Sequence, residues 1–254
     1  MHDPFSLNDQ VAIITGSSKG IGYSIAEHMA HQGAKVVISS RKSDACNERA
    51  AALRDAGGEA IAIPCNISRR ADCEALVAGA IDAWGRLDTF VCNAAVNPVY
   101  GPLSELEDDA FDKVMTSNVQ SSIWFANLAM PYMAKQGGGS FIIISSIGGL
   151  KGSGTLGAYS ISKAADFGVA RSLAVEWGPK NIRVNAIAPG LIMTDFARAL
   201  WENSKLREDR ERRTPLRRLG QPEEIGGVAA FLASSAASFI TGQVIVADGG
   251  STIM

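Results

Sequence analysis

Seven short apolar runs, separated by segments long enough for a helix, constrain the fold of this 254-residue chain more than any other property of its sequence. The runs are residues 11–15, 35–39, 60–65, 87–92, 141–144, 182–186 and 244–247. They are hydrophobic almost throughout instead of alternating with polar residues, as expected of strands covered on both faces. Strands joined by helical crossovers run parallel. The intervening segments 21–32, 44–56, 70–84, 107–116, 121–135, 159–178 and 222–234 are predicted helices. Gly33 and Gly57 sit as C-terminal stops, and Pro222 followed by Glu223 and Glu224 suits a first helical turn. The expectation is an α/β doubly wound parallel sheet of seven strands with helices on both faces.

Residues 191–220 break the alternation. They are dense in charge of both signs and sprinkled with Phe196, Leu200, Trp201 and Leu206. Alone, such a segment reads as a solvated helical insertion. Its place after a late strand and the Pro189-Gly190 turn, on the edge where open α/β sheets hold ligands, makes a substrate lid the expectation. No low-complexity linker or repeat divides the chain, so residues 1–254 read as one domain.

Composition excludes several function classes. Hydrophobic residues at 46% and charged residues at 20%, with no apolar run long enough to cross a bilayer, describe a soluble globular chain without a membrane partner. A net charge of −2 gives no broad attraction for nucleic acid. Residues 1–10 lack the basic start and apolar stretch of a secretory signal. Cys46, Cys65, Cys73 and Cys92 show no CxxC spacing, and only His2, His28 and His31 stand beside them, so no metal is expected. Cys65 and Cys92 end apolar strands and read as small buried residues in a reducing compartment.

The chemistry lies between Ser146 and Lys163. Ser146 follows the fifth run, and Tyr159 and Lys163, four apart, share one face of the next helix. A phenol titrates near pH ~10 in model peptides, so it donates readily to an alkoxide but accepts poorly from an alcohol. A neighbouring ammonium favours the phenolate and corrects this. The Ser146 hydroxyl can donate to an oxygen that gains negative charge. Taken singly, a Tyr/Lys pair is more often a solvated pair, and a serine after a strand more often a turn.

A nucleotide-binding signature upstream tips the balance. After the first run comes Thr15-Gly16-Ser17-Ser18-Lys19-Gly20-Ile21-Gly22, and a helix opens at once. Glycine lets backbone approach a pyrophosphate whose charge the helix N-terminus favours. The spacing is Gly-x-x-x-Gly-x-Gly rather than Gly-x-Gly-x-x-Gly, yet the strand–turn–helix context supports a Rossmann-like reading. The second run ends Ser39-Ser40-Arg41-Lys42, without the acidic residue that meets a free ribose 2′-hydroxyl. Ser40, Arg41 and Lys42, with Lys19 from the turn, suit a 2′-phosphate and so NADP(H). The alternative is that Arg41 and Lys42 are solvated charges beginning a helix.

On these motifs the chain resembles the short-chain dehydrogenase/reductase family over essentially its whole length. Tyr159-Ser160-Ile161-Ser162-Lys163 matches the family's Tyr-x-x-x-Lys, and Ser146 stands at the usual distance ahead of it. The resemblance makes Asn118 a fourth catalytic residue, at a helix distortion with a water linking the lysine to solvent. It assigns the cofactor to Gly16, Ser18, Lys19, Gly20, Ile21 and Gly22 in the turn, Asn66 and Ile67 near adenine, and Asn93, Ala94 and Ala95 after the fourth strand. It adds Pro189, Gly190, Ile192 and Thr194 at the nicotinamide carboxamide, with Lys163 on its ribose. Asn66 stands where an aspartate is usual, and Asn93-Ala94-Ala95-Val96 replaces the commoner Asn-Asn-Ala-Gly. Within the family the chain looks like NADPH-dependent carbonyl reductases of the dehydrogenase/reductase member 4 type. Mammalian proteins of that type carry a peroxisomal Ser-Arg-Leu ending. This sequence stops at Ser251-Thr252-Ile253-Met254, and a cytoplasmic homotetramer is expected.

The expected reaction is reversible hydride transfer between NADP(H) and a carbonyl/secondary alcohol pair, with a hydrophobic ketone or aldehyde reduced. Candidate substrate-facing residues are Val96, Ile147, Gly148, Leu156, Leu191, Phe196 and Trp201, most of them apolar. Two rivals stay open: an NAD(H)-dependent dehydrogenase of a secondary alcohol or polyol, and a non-catalytic NADP-binding sensor.

Overall fold

The seven runs form strands β1 (Val11–Thr15), β2 (Lys35–Ser39), β3 (Glu59–Ala62), β4 (Thr89–Cys92), β5 (Gly139–Ile144), β6 (Ile182–Pro189) and β7 (Val244–Ala247). They make one sheet in the order β3-β2-β1-β4-β5-β6-β7, every neighbouring pair parallel. The computed structural model describes residues 3–254; Met1 and His2, part of the terminal segment and one of the three histidines weighed above, lie outside the described residues.

Continuous hydrophobicity follows from two-sided burial. In β1, Val11 and Ile13 enter one core cluster and Ala12 and Ile14 the other. On the first face Phe90 packs between Phe125 and Phe141, with ring centroids 4.6 and 5.5 Å away. Burying each such ring contributes about 1.5–3 kcal/mol. Helices α1 (Gly20–His31), α2 (Ser43–Asp55), α3 (Arg70–Trp84), α4 (Asp108–Met115), α5 (Ser121–Lys135) and α6 (Gly157–Trp177) fill the crossovers as expected.

Some boundaries move for local reasons. β3, read from the sequence as ending at Cys65, stops at Ala62 because Pro64 has no N–H for the ladder, although Ile63 and Cys65 still donate to Ile38 and Ser40. Cys65 is nonetheless buried, as are Cys46, Cys73 and Cys92, all four free. β5 opens at Gly139, two residues ahead of the run read at 141–144, while Gly137 and Gly138 make the turn with φ of 100° and 143°. β6 runs three residues beyond the expected Ala186, pairing with both β5 and β7.

The strand order places the site. From β1 the chain builds outward through β2 and β3, then returns to add β4 on the other side. The connections therefore diverge above the C-terminal ends of β1 and β4, opening the crevice where such sheets hold ligands.

The charged segment leaves the sheet through a pinch. Ile192 and Gly220 form a parallel bridge, with Gly220 N donating to Leu191 O at 3.0 Å and Met193 N to Gly220 O at 2.9 Å. Between them lie α7 (Arg198–Trp201) and α8 (Ser204–Arg213), and α8 buries no residue. Helix α9 (Pro222–Ala233) then returns against α1.

Candidate active site

Thr15, at the end of β1, ties the crevice together. Its hydroxyl donates to Val91 O at 3.3 Å and accepts from the N–H groups of Asn93 and Ala94 at 3.0 and 3.1 Å. The chain then turns through Gly16 and Gly20, with φ of 66° and 57°, a region that glycine enters without strain. Helix α1 begins with no side-chain cap at Lys19 and no acidic residue in its first turn. Its first N–H groups are thus left to an external anion, which fits the pyrophosphate of a dinucleotide.

Other residues are expected on the cofactor side. Ser40 is half-buried against the Cys46 thiol, and Arg41 and Lys42 are exposed, with neither in an ion pair among the described residues. Lys19 differs. Its Nζ lies 3.1 Å from Asp195, which also pairs with Arg198, and hydrogen bonds from both cations hold the Asp195 carboxyl below its ordinary value. Near the expected adenine position, the Asn66 side-chain oxygen accepts from Ser68 N at 3.2 Å, so the retained acceptor is already partly used. The nearby carboxylate is Asp72, which accepts from Asn66 N at 3.0 Å. Ile67 is buried. Gly20 approaches the base of the charged segment, where a Cβ would lie 3.3 Å from Thr194 Cγ2. Thr194 caps the next turn through Ala197 N and receives the Trp201 indole N–H on its carbonyl at 2.8 Å, while Ile192 is buried beneath.

The residues expected to handle the proton lie beyond β5. Ser145 Oγ donates to Lys163 O at 2.8 Å, fixing the strand end to the middle of α6. The Ser146 oxygen accepts from Gly148 N at 3.0 Å, so its hydrogen is left to donate outward. A Cβ added at Gly148 would sit 3.3 Å from Ser146 Oγ and 3.8 Å from Tyr159 Cε1, which places the serine hydroxyl and the phenol ring on two sides of one small space. Lys163 Nζ lies 5.8 Å from the Tyr159 ring centroid and donates to Ile144 O at 2.9 Å and Asp166 Oδ2 at 3.1 Å. Burial pulls the lysine pKa down, but the charges of Asp166 and Tyr159 and the hydrogen bond to Asp166 more than offset it, and the net direction is upward.

Asn118 lies in a π-helical turn, Thr116–Gln120, between α4 and α5. The widened turn lets its amide cross to the β4 loop. There Oδ1 accepts from Val96 N at 2.8 Å and Nδ2 donates to Val96 O at 3.0 Å and to Ser162 Oγ at 3.0 Å. Asn118 thus holds the Val96 backbone against α6, one turn from Tyr159.

Of the residues expected at the substrate, Gly148 borders Ser146 and Tyr159, and Phe196, 61% exposed, brings its ring centroid to 6.2 Å from that of Tyr159. Leu156 immediately precedes α6 and bridges to Gly101, Ile147 packs on the core, and Leu191 lies at the pinch. Trp201 spends its polar edge on Thr194 O, within its own segment. Two residues escaped sequence reasoning: Asp195, and Asp166, whose i+3 spacing from Lys163 on an otherwise apolar helix face is the signal that was present.

Among the described residues no helix is long and apolar enough to cross a membrane. The family described as enoyl-(acyl carrier protein) reductase matches residues 16–252. Dehydrogenase/reductase SDR family member 4 of Oryctolagus cuniculus is 42% identical over 96% of this chain and 94% of its own length. A gluconate 5-dehydrogenase from Burkholderia cenocepacia, solved in complex with NADP and tartrate, is 31% identical with a TM-score of 0.95 over 99% of this chain and 98% of that one. A 7α-hydroxysteroid dehydrogenase complexed with NADH and 7-oxo glycochenodeoxycholic acid is 36% identical with a TM-score of 0.95, covering 98% of both chains.

Proposed function

The chain belongs to the short-chain dehydrogenase/reductase family, and from that premise we propose that it is an NADP(H)-dependent carbonyl reductase acting reversibly on a carbonyl/secondary alcohol pair. The observation that carries the reading is the convergence of Ser146, Tyr159 and Lys163 beside an uncapped glycine turn in one crevice. When bound, the nicotinamide supplies or takes up the hydride.

In the reducing direction the Tyr159 hydroxyl gives its proton to the substrate oxygen, and Ser146 donates a hydrogen bond to that oxygen as charge gathers on it. Lys163 keeps a positive charge below the phenol and offers a donor to the nicotinamide ribose. Asn118 keeps the Val96 loop and Ser162 in register with this group. Pro189, Gly190, Ile192 and Thr194 would hold the carboxamide, and Ala94 and Ala95 would lie along the dinucleotide between it and the glycine turn. An apolar substrate is favoured by exposed Phe196 and Leu206 on the lid and by Phe196 beside Tyr159. A family homotetramer accords with exposed Ile123 and Tyr132 on α5, Ile161 and Val175 on α6, and Val246 on β7.

NADP is favoured by Arg41 and Lys42 just beyond β2, neither with an acidic partner among the described residues. One observation favours NAD instead: Lys19, the third cation, is already engaged by Asp195. A panel of apolar ketones and sugar acids, assayed with NADPH and NADH in parallel, tests both points. Turnover of the apolar ketones with NADPH well above NADH is the expected result, and equal or better rates with NADH would transfer the assignment to the NAD reading.

A further inference from the structure

Asp166 is a fully buried carboxylate three residues beyond Lys163, with Oδ2 3.1 Å from Nζ. Among the described residues its Oδ1 has no hydrogen-bond partner, the neighbouring Ser145 hydroxyl donating to Lys163 O at 2.8 Å. A half-satisfied buried carboxylate is costly, and an apolar residue of similar volume would serve packing at least as well. Its presence therefore calls for a reason outside stability, and the geometry supplies one. Of the three protons on Nζ, Ile144 O takes one and Asp166 a second, so the third is held toward the Tyr159 side. The ammonium is both aimed and partly neutralised.

Resting on the proposed reaction, we propose that Asp166 is a positioning residue which fixes the Lys163 ammonium and weakens its field at the Tyr159 phenol, thereby setting the pH range of turnover. The buried groups agree with this arrangement. Burial raises the Asp166 carboxyl above its ordinary range, and the neighbouring lysine only partly draws it back. The titratable groups reaching the pair, among the described residues, are Tyr159 on α6 and Cys92 at the end of β4. Burial raises the Cys92 thiol, which keeps it neutral. β5 contributes Ile144 O, and Ser145 follows it; neither titrates.

The test compares parent and Asp166→Asn in alcohol oxidation with NADP⁺ across pH. Without the negative charge, Lys163 acts on the phenol uncompensated and itself loses protons more readily. The whole kcat/KM profile is then expected to move to lower pH by about one unit. A profile unmoved in pH and only scaled in height would overturn the proposal, because a packing role predicts that outcome. In parallel, nitrogen-15 and carbon-13 NMR of the parent follows Lys163 Nζ and the Asp166 carboxyl. A carboxyl titrating above the ordinary range, with the lysine nitrogen responding in step, supports the proposal; an ordinary titration without that response overturns it. This second measurement decides the matter if the variant does not fold. It also separates failure of the inference from failure of the proposed function, which would appear as a parent unable to turn over any member of the panel.

Discussion

Asn93 clamps the glycine turn to the end of β4, its Nδ2 donating to Thr15 O at 2.8 Å and Gly16 O at 3.2 Å. Gly22 lies directly beneath, where a Cβ would fall 2.4 Å from that nitrogen and 2.5 Å from Gly16 O. Backbone cannot yield cheaply at such a contact. Gly22→Ala is therefore expected to cost about 1–3 kcal/mol of stability through overpacking. By spreading the turn it should also weaken NADPH binding roughly tenfold, about 1.4 kcal/mol. Thermal melting and fluorescence titration read the two effects, and parent-like binding would contradict the role given to the turn.

Tyr159→Phe keeps the ring beside Phe196 and removes only the hydroxyl, so folding and cofactor affinity are expected to survive. The loss falls on kcat, by about 10²–10⁴-fold for a general acid. Ser146→Ala is expected to lose about 10²–10³-fold, as for removal of one oxyanion-stabilising donor. Initial rates of NADPH consumption at saturating substrate check both, and an unchanged kcat in the first variant removes Tyr159 as proton donor.

Much of this was legible because it depends on local pattern. Two-sided burial writes itself as continuous apolar runs, and β1 shows it by dividing Val11 and Ile13 from Ala12 and Ile14. The positive φ of Gly33 and Gly57 follows from the same punctuation that marked them as helix stops. What stayed hidden depends on tertiary approach. No periodicity announces that Lys19 meets Asp195 across 176 positions, and the pinch at Ile192 and Gly220 forms only once β6 is placed. The π turn at Asn118 came through family resemblance, since nothing in Thr116–Gln120 distinguishes it from an ordinary helical turn. Asp166 was legible in spacing but not in burial, and burial gives its charge consequence.

Arg41→Asp places a carboxylate where β2 ends, able to accept from a ribose hydroxyl and repelling a phosphate. Hydrogen bonds to charged groups contribute about 1.5–3 kcal/mol, so the NADPH-to-NADH ratio of kcat/KM is expected to fall by roughly 10–100-fold. Because Arg41 is exposed and makes no ion pair among the described residues, melting should change little. A variant that retains the parent's cofactor ratio would show that the phosphate contact lies elsewhere.

The end of the 191–220 segment is held by Arg218, which donates to both Glu224 oxygens at 2.7 and 2.6 Å while Gln221 N donates at 2.9 Å. These bonds, the Arg218 hydrogen bond foremost, push the Glu224 carboxyl down to about 2 from an ordinary 4.5. A folded-state value below the unfolded one means that the stabilisation is complete above pH 4.5 and disappears as pH falls toward about 2. Both side chains are about half exposed, so solvent screening limits the contribution to under about 1 kcal/mol. Glu224→Gln is accordingly expected to melt slightly below the parent at neutral pH and to converge with it on acidification. Added salt should narrow the neutral-pH gap as it screens the pair. A gap that stays constant from neutral pH through pH 2 would show that the carboxylate's charge is not what fastens the 191–220 segment to α9.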